Sequence, residues 1–509
     1  MTKLLAALLA PLLLAPTSDE VDAGFEPALE TVTDQDVRTH VDLLTRDVYA
    51  GRDTPQPGMV KACEYVAEQF SRYGLVPVGA DDSFLVPYAL NVRDVSPSTT
   101  FVLAGAQGDE LATLREEFVP AKASPSGTAE GDVVFCGYGI EERKYRWNSF
   151  KRVDVRGKIV VVLAREPRAD DDNPRFFDGL EATEASSLSE KVKKAAELGA
   201  VGVVVSPATA EESGVWMNAQ LPILAGRGGG RRGGPSELAL PTVVVTLDLA
   251  ERILGRSPTE LRDRIDGRRK PDSFDVDARI RLDLVVTEES RPVPQVAARY
   301  PGRDQELLGE VVVVGAHLDH VGMDDRGRVY NGADDNAGGV AGLLEVAQAF
   351  GEGKPSTRRS VVFIAFTGEE RGLLGSYAWC REPPIAMSKH YGMINLDIIS
   401  RGRKNAIEAT PPPDKTFFDR LLSKAVKESN CRLKVGRGGK EYFQRSDQYP
   451  FHREGIPTVF FNEGKTNEDY HQPSDTADKL IEEKVAKVAR LSFTLAYLAA
   501  NSDLAGGLR

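Results

Sequence analysis

Val311-Val312-Val313-Val314-Gly315-Ala316-His317-Leu318-Asp319-His320 is the stretch that decides the fold. An apolar run this continuous reads as a strand buried on both faces, because a strand with one wet face alternates apolar and polar residues. The texture recurs downstream at Ser360 to Phe366, Met393 to Ile399 and Thr458 to Phe461, with a helical stretch from Gly339 to Phe350 after the first run. Buried strands alternating with helices imply an α/β fold, a mostly parallel sheet covered by helices on both faces. Ligand sites in such sheets gather beyond the carboxyl ends of the strands.

Those ends carry metal-binding residue types. The first run ends in His317-Leu318-Asp319-His320, the second in Thr367-Gly368-Glu369-Glu370, and Asn395-Leu396-Asp397 lies within the third. The fourth is followed, after a short loop, by Tyr470-His471-Gln472-Pro473. Between the first two runs lies Gly332-Ala333-Asp334-Asp335-Asn336-Ala337-Gly338-Gly339, an acidic loop whose small residues let the backbone approach a site closely. Each piece alone has a plainer reading: a loop histidine, a solvated Glu pair, an Asp-rich turn or helix cap. Their recurrence, in order, at successive strand ends of one sheet outweighs those readings. Two His with three carboxylates suit a pair of divalent ions, since imidazole favours zinc and a shared carboxylate can bridge two centres.

Working outward, residues 34 to 75 read as two helices, Val37, Val41 and Leu44 in the first and Val60, Val66 and Phe70 in the second, with Gly74 as a stop. From 94 to 288 the texture changes to short β-rich runs such as Asp132 to Phe135, Lys158 to Leu163, Val201 to Val205 and Thr242 to Leu247. Within it Ser189 to Leu198 is helical, and Gly226 to Gly234, almost wholly Gly and Arg, reads as a solvated loop. The expected organisation is a signal segment 1–23, an N-terminal part of the main domain 24–93, an inserted domain 94–288, and the main part 289–509.

At 509 residues, 41% hydrophobic and 28% charged, the chain can build a large core and is not of disordered type. Its net charge of -12 opposes binding to phosphate backbones or anionic lipid, so nucleic acid is not an expected partner. Lys3 followed by the apolar run Leu4 to Ala15 has the pattern of a secretory leader, and export, periplasmic or secreted, is expected. No later stretch is apolar for long enough to predict a membrane span once that leader is removed. Cys63, Cys136, Cys380 and Cys431 lack Cys-x-x-Cys spacing and form neither a zinc knuckle nor a redox pair.

Ala316 to His320, Gly332 to Gly339, Gly368-Glu369-Glu370-Arg371-Gly372-Leu373-Leu374-Gly375-Ser376, Asn395-Leu396-Asp397 and Tyr470 to Thr476, with the lead-in Gly51-Arg52-Asp53-Thr54, together resemble the dizinc aminopeptidases of the secreted bacterial leucyl aminopeptidase and aminopeptidase Y type, in the form carrying an inserted protease-associated domain. The resemblance implies an exported zinc-dependent aminopeptidase acting on peptides, with two zinc ions per chain. It implies that Asp334 bridges the ions, that Glu370 and His471 complete one and that His317 and Asp397 complete the other. It assigns Glu369 as general base and Asp319 as the carboxylate that orients His317; periodicity does not tell Glu369 from Glu370. His320 belongs to the family pattern without being a ligand there. Gln448 departs from the usual His, which bears on substrate contact, and Gly338 stands where Ser is usual. Related proteins act as carboxypeptidases on acidic dipeptides, for which Arg401, Arg403 and Arg445 are the candidate cations; others cyclise N-terminal glutamine at one zinc, or are receptors whose metal ligands are lost.

Overall fold

The computed structural model describes residues 24–105, 108–168, 176–177, 182–225, 237–410 and 416–504. The expected leader 1–23 and the Gly/Arg stretch 226–234 lie outside the described residues. After a short helical segment at Phe25–Thr31 come two longer helices, α1 (Asp34–Leu44) and α2 (Pro57–Arg72). Thr33 caps α1 by accepting from the Asp36 amide, and Pro57 starts α2 where its missing N–H costs nothing. Gly74, with φ +73°, ends the second helix in the left-handed conformation that only glycine adopts without steric cost.

The main sheet has ten strands. Its backbone is β1 (Leu85–Val95), β2 (Val286–Tyr300), β3 (Val311–His317), β4 (Ser360–Phe366), β5 (His390–Leu396) and β6 (Thr458–Asn462). In space they run β1, β2, β4, β3, β5, β6. The four central strands are parallel, β4 to β3, β3 to β5 and β5 to β6, and bring their carboxyl ends to one edge. Antiparallel pairs flank them on both sides, β1 with β2 and β2 with β4 on one, Ala406–Thr410 with β6 on the other.

Alternation explains why the strands read as unbroken apolar runs. Val312, Val314 and Ala316 pack on one face with α1, α2, α3 (Gly338–Gly353) and α5 (Glu482–Ala500). Val311 and Val313 pack on the other with Trp379 and Cys380 of α4 (Leu374–Arg381). Both faces are covered, so neither can be polar.

The inserted domain leaves through β1 and returns through β2. These strands pair from Val95↔Val286 to Leu85↔Val296, and the ribbon continues as Thr100–Gly105 against Phe274–Leu284. Beyond it lies an eight-stranded sheet whose inner strands Gly127–Phe135, Ile159–Leu163, Gly202–Ser206 and Thr242–Val245 are parallel. Thr242 to Leu247 is shorter as a strand than its composition predicts. Thr246 accepts from the Leu249 amide and starts a helix at Leu247, so a local cap overrides β propensity. The third run of the main sheet likewise ends at Leu396, and Asp397 stands just past the strand rather than within it. No helix among the described residues is long and apolar enough to cross a membrane.

Candidate metal centre

The acidic loop between β3 and α3 sets the geometry. Gly332 has φ +55°, and a Cβ there would meet the Asp335 carbonyl at 2.3 Å and the His320 ring at 2.4 Å, so only glycine lets the loop fold this tightly. Asn336 then ties the loop to the end of β5: its amide donates to Leu396 O at 2.9 Å, and its Oδ1 accepts from Gly339 N at 3.0 Å.

Asp335 is the carboxylate this loop presents to the site. Its Oδ1 lies 3.3 Å from His317 Nε2 at the end of β3, and its Oδ2 lies 3.1 Å from His471 Nε2. This corrects the assignment of Asp334. The Asp334 carboxylate turns the other way and accepts from Ser400 N at 3.0 Å, from Ser400 Oγ and from Asn467 Nδ2 at 2.8 Å. Asp475 accepts from the amides of both residues, which fixes the peptide and sends the two neighbouring side chains to different sides.

The remaining residues fall into two groups whose ligand atoms lie within 4.8 Å of one another: His317, Glu369 and Asp397, and His320, Asp335, Glu370 and His471. His317 Nε2 is 3.1 Å from Asp397 Oδ1, and His471 Nε2 is 3.0 Å from Glu370 Oε2. His320, expected to stay outside the ligand set, holds Nδ1 2.9 Å from Glu370 Oε1. Asp319 is placed behind His317, but the close contact to His317 Nδ1 is the Asp319 carbonyl at 3.1 Å, with the carboxylate at 4.0 Å. Asp319 Oδ1 accepts instead from Glu369 N at 3.2 Å, so it fixes the Glu369 turn as well as facing the histidine.

Electrostatically the cluster is overloaded with acid. Burial and the neighbouring carboxylates of Glu370 and Asp397 hold the Glu369 carboxyl well above its usual range, against the opposing pull of His317. Burial lowers the His471 imidazole, but Asp335 and Glu370 overcome it and push it up to about 10. Asp335 Oδ2 and His471 Nε2 are buried and close, yet neither has a hydrogen-bond partner of acceptable geometry, and His320 Nε2 has none either. Imidazole and carboxylate atoms that converge while some of them, Asp335 Oδ2 and His471 Nε2, stay buried without a hydrogen-bond partner suit divalent-ion ligands, so the donor set fits a pair of such ions.

Three residues of the lead-in hold the loops. Arg52 is fully buried and donates Nε to Leu318 O at 2.8 Å, Nη1 to Leu44 O at 2.6 Å and to Asn331 O at 2.8 Å, and Nη2 to Gly332 O at 3.0 Å. Asp53 receives a forked pair from Arg371, with contacts of 2.6 to 2.9 Å, and Thr54 Oγ1 accepts from Gly368 N at 2.9 Å. The quoted motifs contain Arg52 and Asp475, but nothing in the sequence assigns them these tasks, since their partners are backbone groups far along the chain.

A pocket opens beside the cluster, lined by Asp335, Glu369, Asp397, Tyr442, Arg445 and Phe460, among others. Of the three candidate cations for a substrate carboxylate, Arg445 lines this pocket, while Arg401 is bound to Asp469 at 2.8 Å. Gln448 is buried away from it, accepting from Asn395 Nδ2 at 2.8 Å and donating to Phe443 O.

The sheet and its paired donor groups define an α/β protein with a candidate metal centre at the carboxyl ends of its central strands. Residues 295–496 match the family model of peptidase family M28 and residues 129–253 that of the PA domain, so the chain carries an M28 peptidase region with a PA domain inserted ahead of it. A probable leucine aminopeptidase of Arthroderma otae is 28% identical over 224 residues, which cover 42% of this chain and 59% of that protein. The match thus spans under two thirds of that relative's length. A probable glutamate carboxypeptidase of Arabidopsis thaliana is 25% identical over 498 residues, 89% of this chain and 65% of that one. Among solved structures, an aminopeptidase from Aneurinibacillus sp. strain AM-1 is 21% identical with a TM-score of 0.46, covering 93% of this chain and 95% of that one.

Proposed function

We propose that the protein is a zinc-dependent aminopeptidase that removes N-terminal residues from peptides. The observation that carries this reading is Asp335, whose two oxygens face histidines of separate donor groups at 3.3 and 3.1 Å. In this reading His317 and Asp397 would hold one zinc ion and Glu370 and His471 the other, with Asp335 placed to serve both and His320 beside the second. When bound, such a pair polarises the scissile carbonyl and acidifies the water between the ions. The chain's own part is acid–base work. Glu369 accepts the proton of the attacking water and returns it to the leaving amine. Its position is fixed by the bonds from Glu369 N to Asp319 and from Gly368 N to Thr54, so the carboxylate does not have to be ordered in the transition state.

A second reading is a carboxypeptidase of the same fold. It is favoured by Arg445 in the pocket and by the long match to the glutamate carboxypeptidase. Assaying aminoacyl amides, their N-acetylated equivalents and N-acetylated dipeptides with a free carboxylate separates the two, with metal measured on the same sample. The aminopeptidase reading expects cleavage of free-amine substrates alone with about two zinc ions per chain. Cleavage confined to N-blocked dipeptides with a free carboxylate overturns it in favour of the carboxypeptidase. Action after export is proposed from Lys3 and Leu4 to Ala15, and a mature N-terminus beyond Ala15 is the expected result of N-terminal sequencing.

A further inference from the structure

The segment joining the two donor-bearing loops, between His320 and Gly332, is held largely by the inserted domain. It forms a small hairpin in which Gly322 pairs with Tyr330 and Met323 with Val329. Asp325 at its turn accepts from Ser187 Oγ at 2.7 Å and Ser189 Oγ at 2.9 Å, and its carbonyl accepts from Leu188 N at 2.8 Å. Lys122 Nζ donates to Met323 O, and Arg326 Nη1 donates to Ala182 O at 3.0 Å. Met323 is buried in the inserted domain's own core with Val215 and Trp216. Gly327 approaches Trp216 so closely that a Cβ would stand 2.8 Å from the indole.

The lead-in is gripped in the same way. Ala50 belongs to that same core, and Val48 O accepts from Asn218 Nδ2 at 2.8 Å. Two residues past Ala50, Arg52 binds Leu318 O, next to His317, and Asn331 O and Gly332 O, at the start of the Asp335 loop. The domain therefore touches both the tether between the donor loops and the strut that spaces them.

We propose that the inserted domain is a positioning element of the metal centre, seating the hairpin through Asp325 so that His317 and Asp335 keep their spacing. This rests on the metal-binding reading above. Asp325 is exposed and touches no ligand residue, so Asp325→Ala removes the side-chain bonds of the seat, keeps the backbone bond to Leu188 N and leaves the donor set intact. In the zinc-loaded protein the expected result is zinc lost to a chelator with about tenfold weaker retention, a lowered kcat and an unchanged KM. Asp325→Asn, which keeps an acceptor for the serines, should recover most of both. The double variant Ser187→Ala/Ser189→Ala removes the same bonds from the other side and should repeat the loss. Zinc retention and kcat equal to wild type in both the Asp325→Ala and the double serine variants overturn the proposal. So does a loss that tracks the melting temperature and that Asp325→Asn does not restore. Wild-type protein that takes up no zinc would instead sink the metal reading itself, and is seen before any variant is made.

Discussion

At the scale of single residues, adjacent side chains in one acidic loop have opposite tasks. Asp335 faces the site, while Asp334 is spent on Ser400 and Asn467. Asp335→Ala should therefore abolish zinc uptake and activity together. Asp334→Asn should keep zinc while losing part of a buried network, about 1–3 kcal/mol of stability; metal analysis and a denaturant titration on both variants check the contrast. Glu369→Gln should keep both ions and cost about 10²- to 10⁴-fold in kcat, which single-turnover kinetics on metal-loaded protein would read. The sequence names the motif that holds these residues but not which aspartate points inward. That depends on backbone torsions fixed by Asp475, more than a hundred residues downstream, and no local pattern encodes them.

Elements were more legible than their ends. β3 and β4 could be read because both faces are covered and every position is buried, with only Ser360 and His317 polar at their ends. The end of β5 could not, because Ile398, with φ +54°, turns the chain just where the apolar pattern continues. Helix α3 hides a further surprise in its apolar stripe. Glu345 is buried there, its Oε2 accepting from Thr33 N at 2.8 Å at the start of α1. Burial pushes its carboxyl up to about 8. Below the ordinary carboxylate range both folded and unfolded states hold the proton, and burial of the acid costs nothing extra. As pH rises from about 4.5 to about 8 the unfolded chain releases a proton that the folded one keeps, so stability falls across that window. Glu345→Gln removes this cost. The variant should melt higher than wild type at pH 8, by up to a few kcal/mol at roughly 1.4 kcal/mol per pKa unit, and match it near pH 4.5. An equal offset at both pH values would contradict the assignment.

At the scale of the whole molecule, the change in texture at residue 94 announces a second domain, but not how it is joined. The joint is a ribbon of two strands, β1 and β2, plus contacts to the hairpin and the lead-in between residues 138 and 170 apart in sequence. The inserted sheet has hydrophobic clusters on both its faces, built mostly from its own residues, with Ala50 and Met323 joining one of them from outside the inserted domain. The other part, by contrast, gathers Asp335, Glu369, Glu370 and Asp397 into one largely enclosed site, where bound cations would relieve their repulsion. On the proposed reading zinc would bind the folded site far more tightly than the unfolded chain, and at a hundredfold excess over its dissociation constant one ion would add about 2.7 kcal/mol. Chelation should then lower the melting of the peptidase part while the inserted sheet keeps its own transition. In scanning calorimetry the single transition of the zinc-loaded protein should split into two, and re-addition of zinc should merge them. The same experiment on Asp335→Ala should give the split trace with or without zinc. An unsplit transition that merely moves down on chelation would mean that the two sheets unfold as one unit, through the ribbon and the hairpin together.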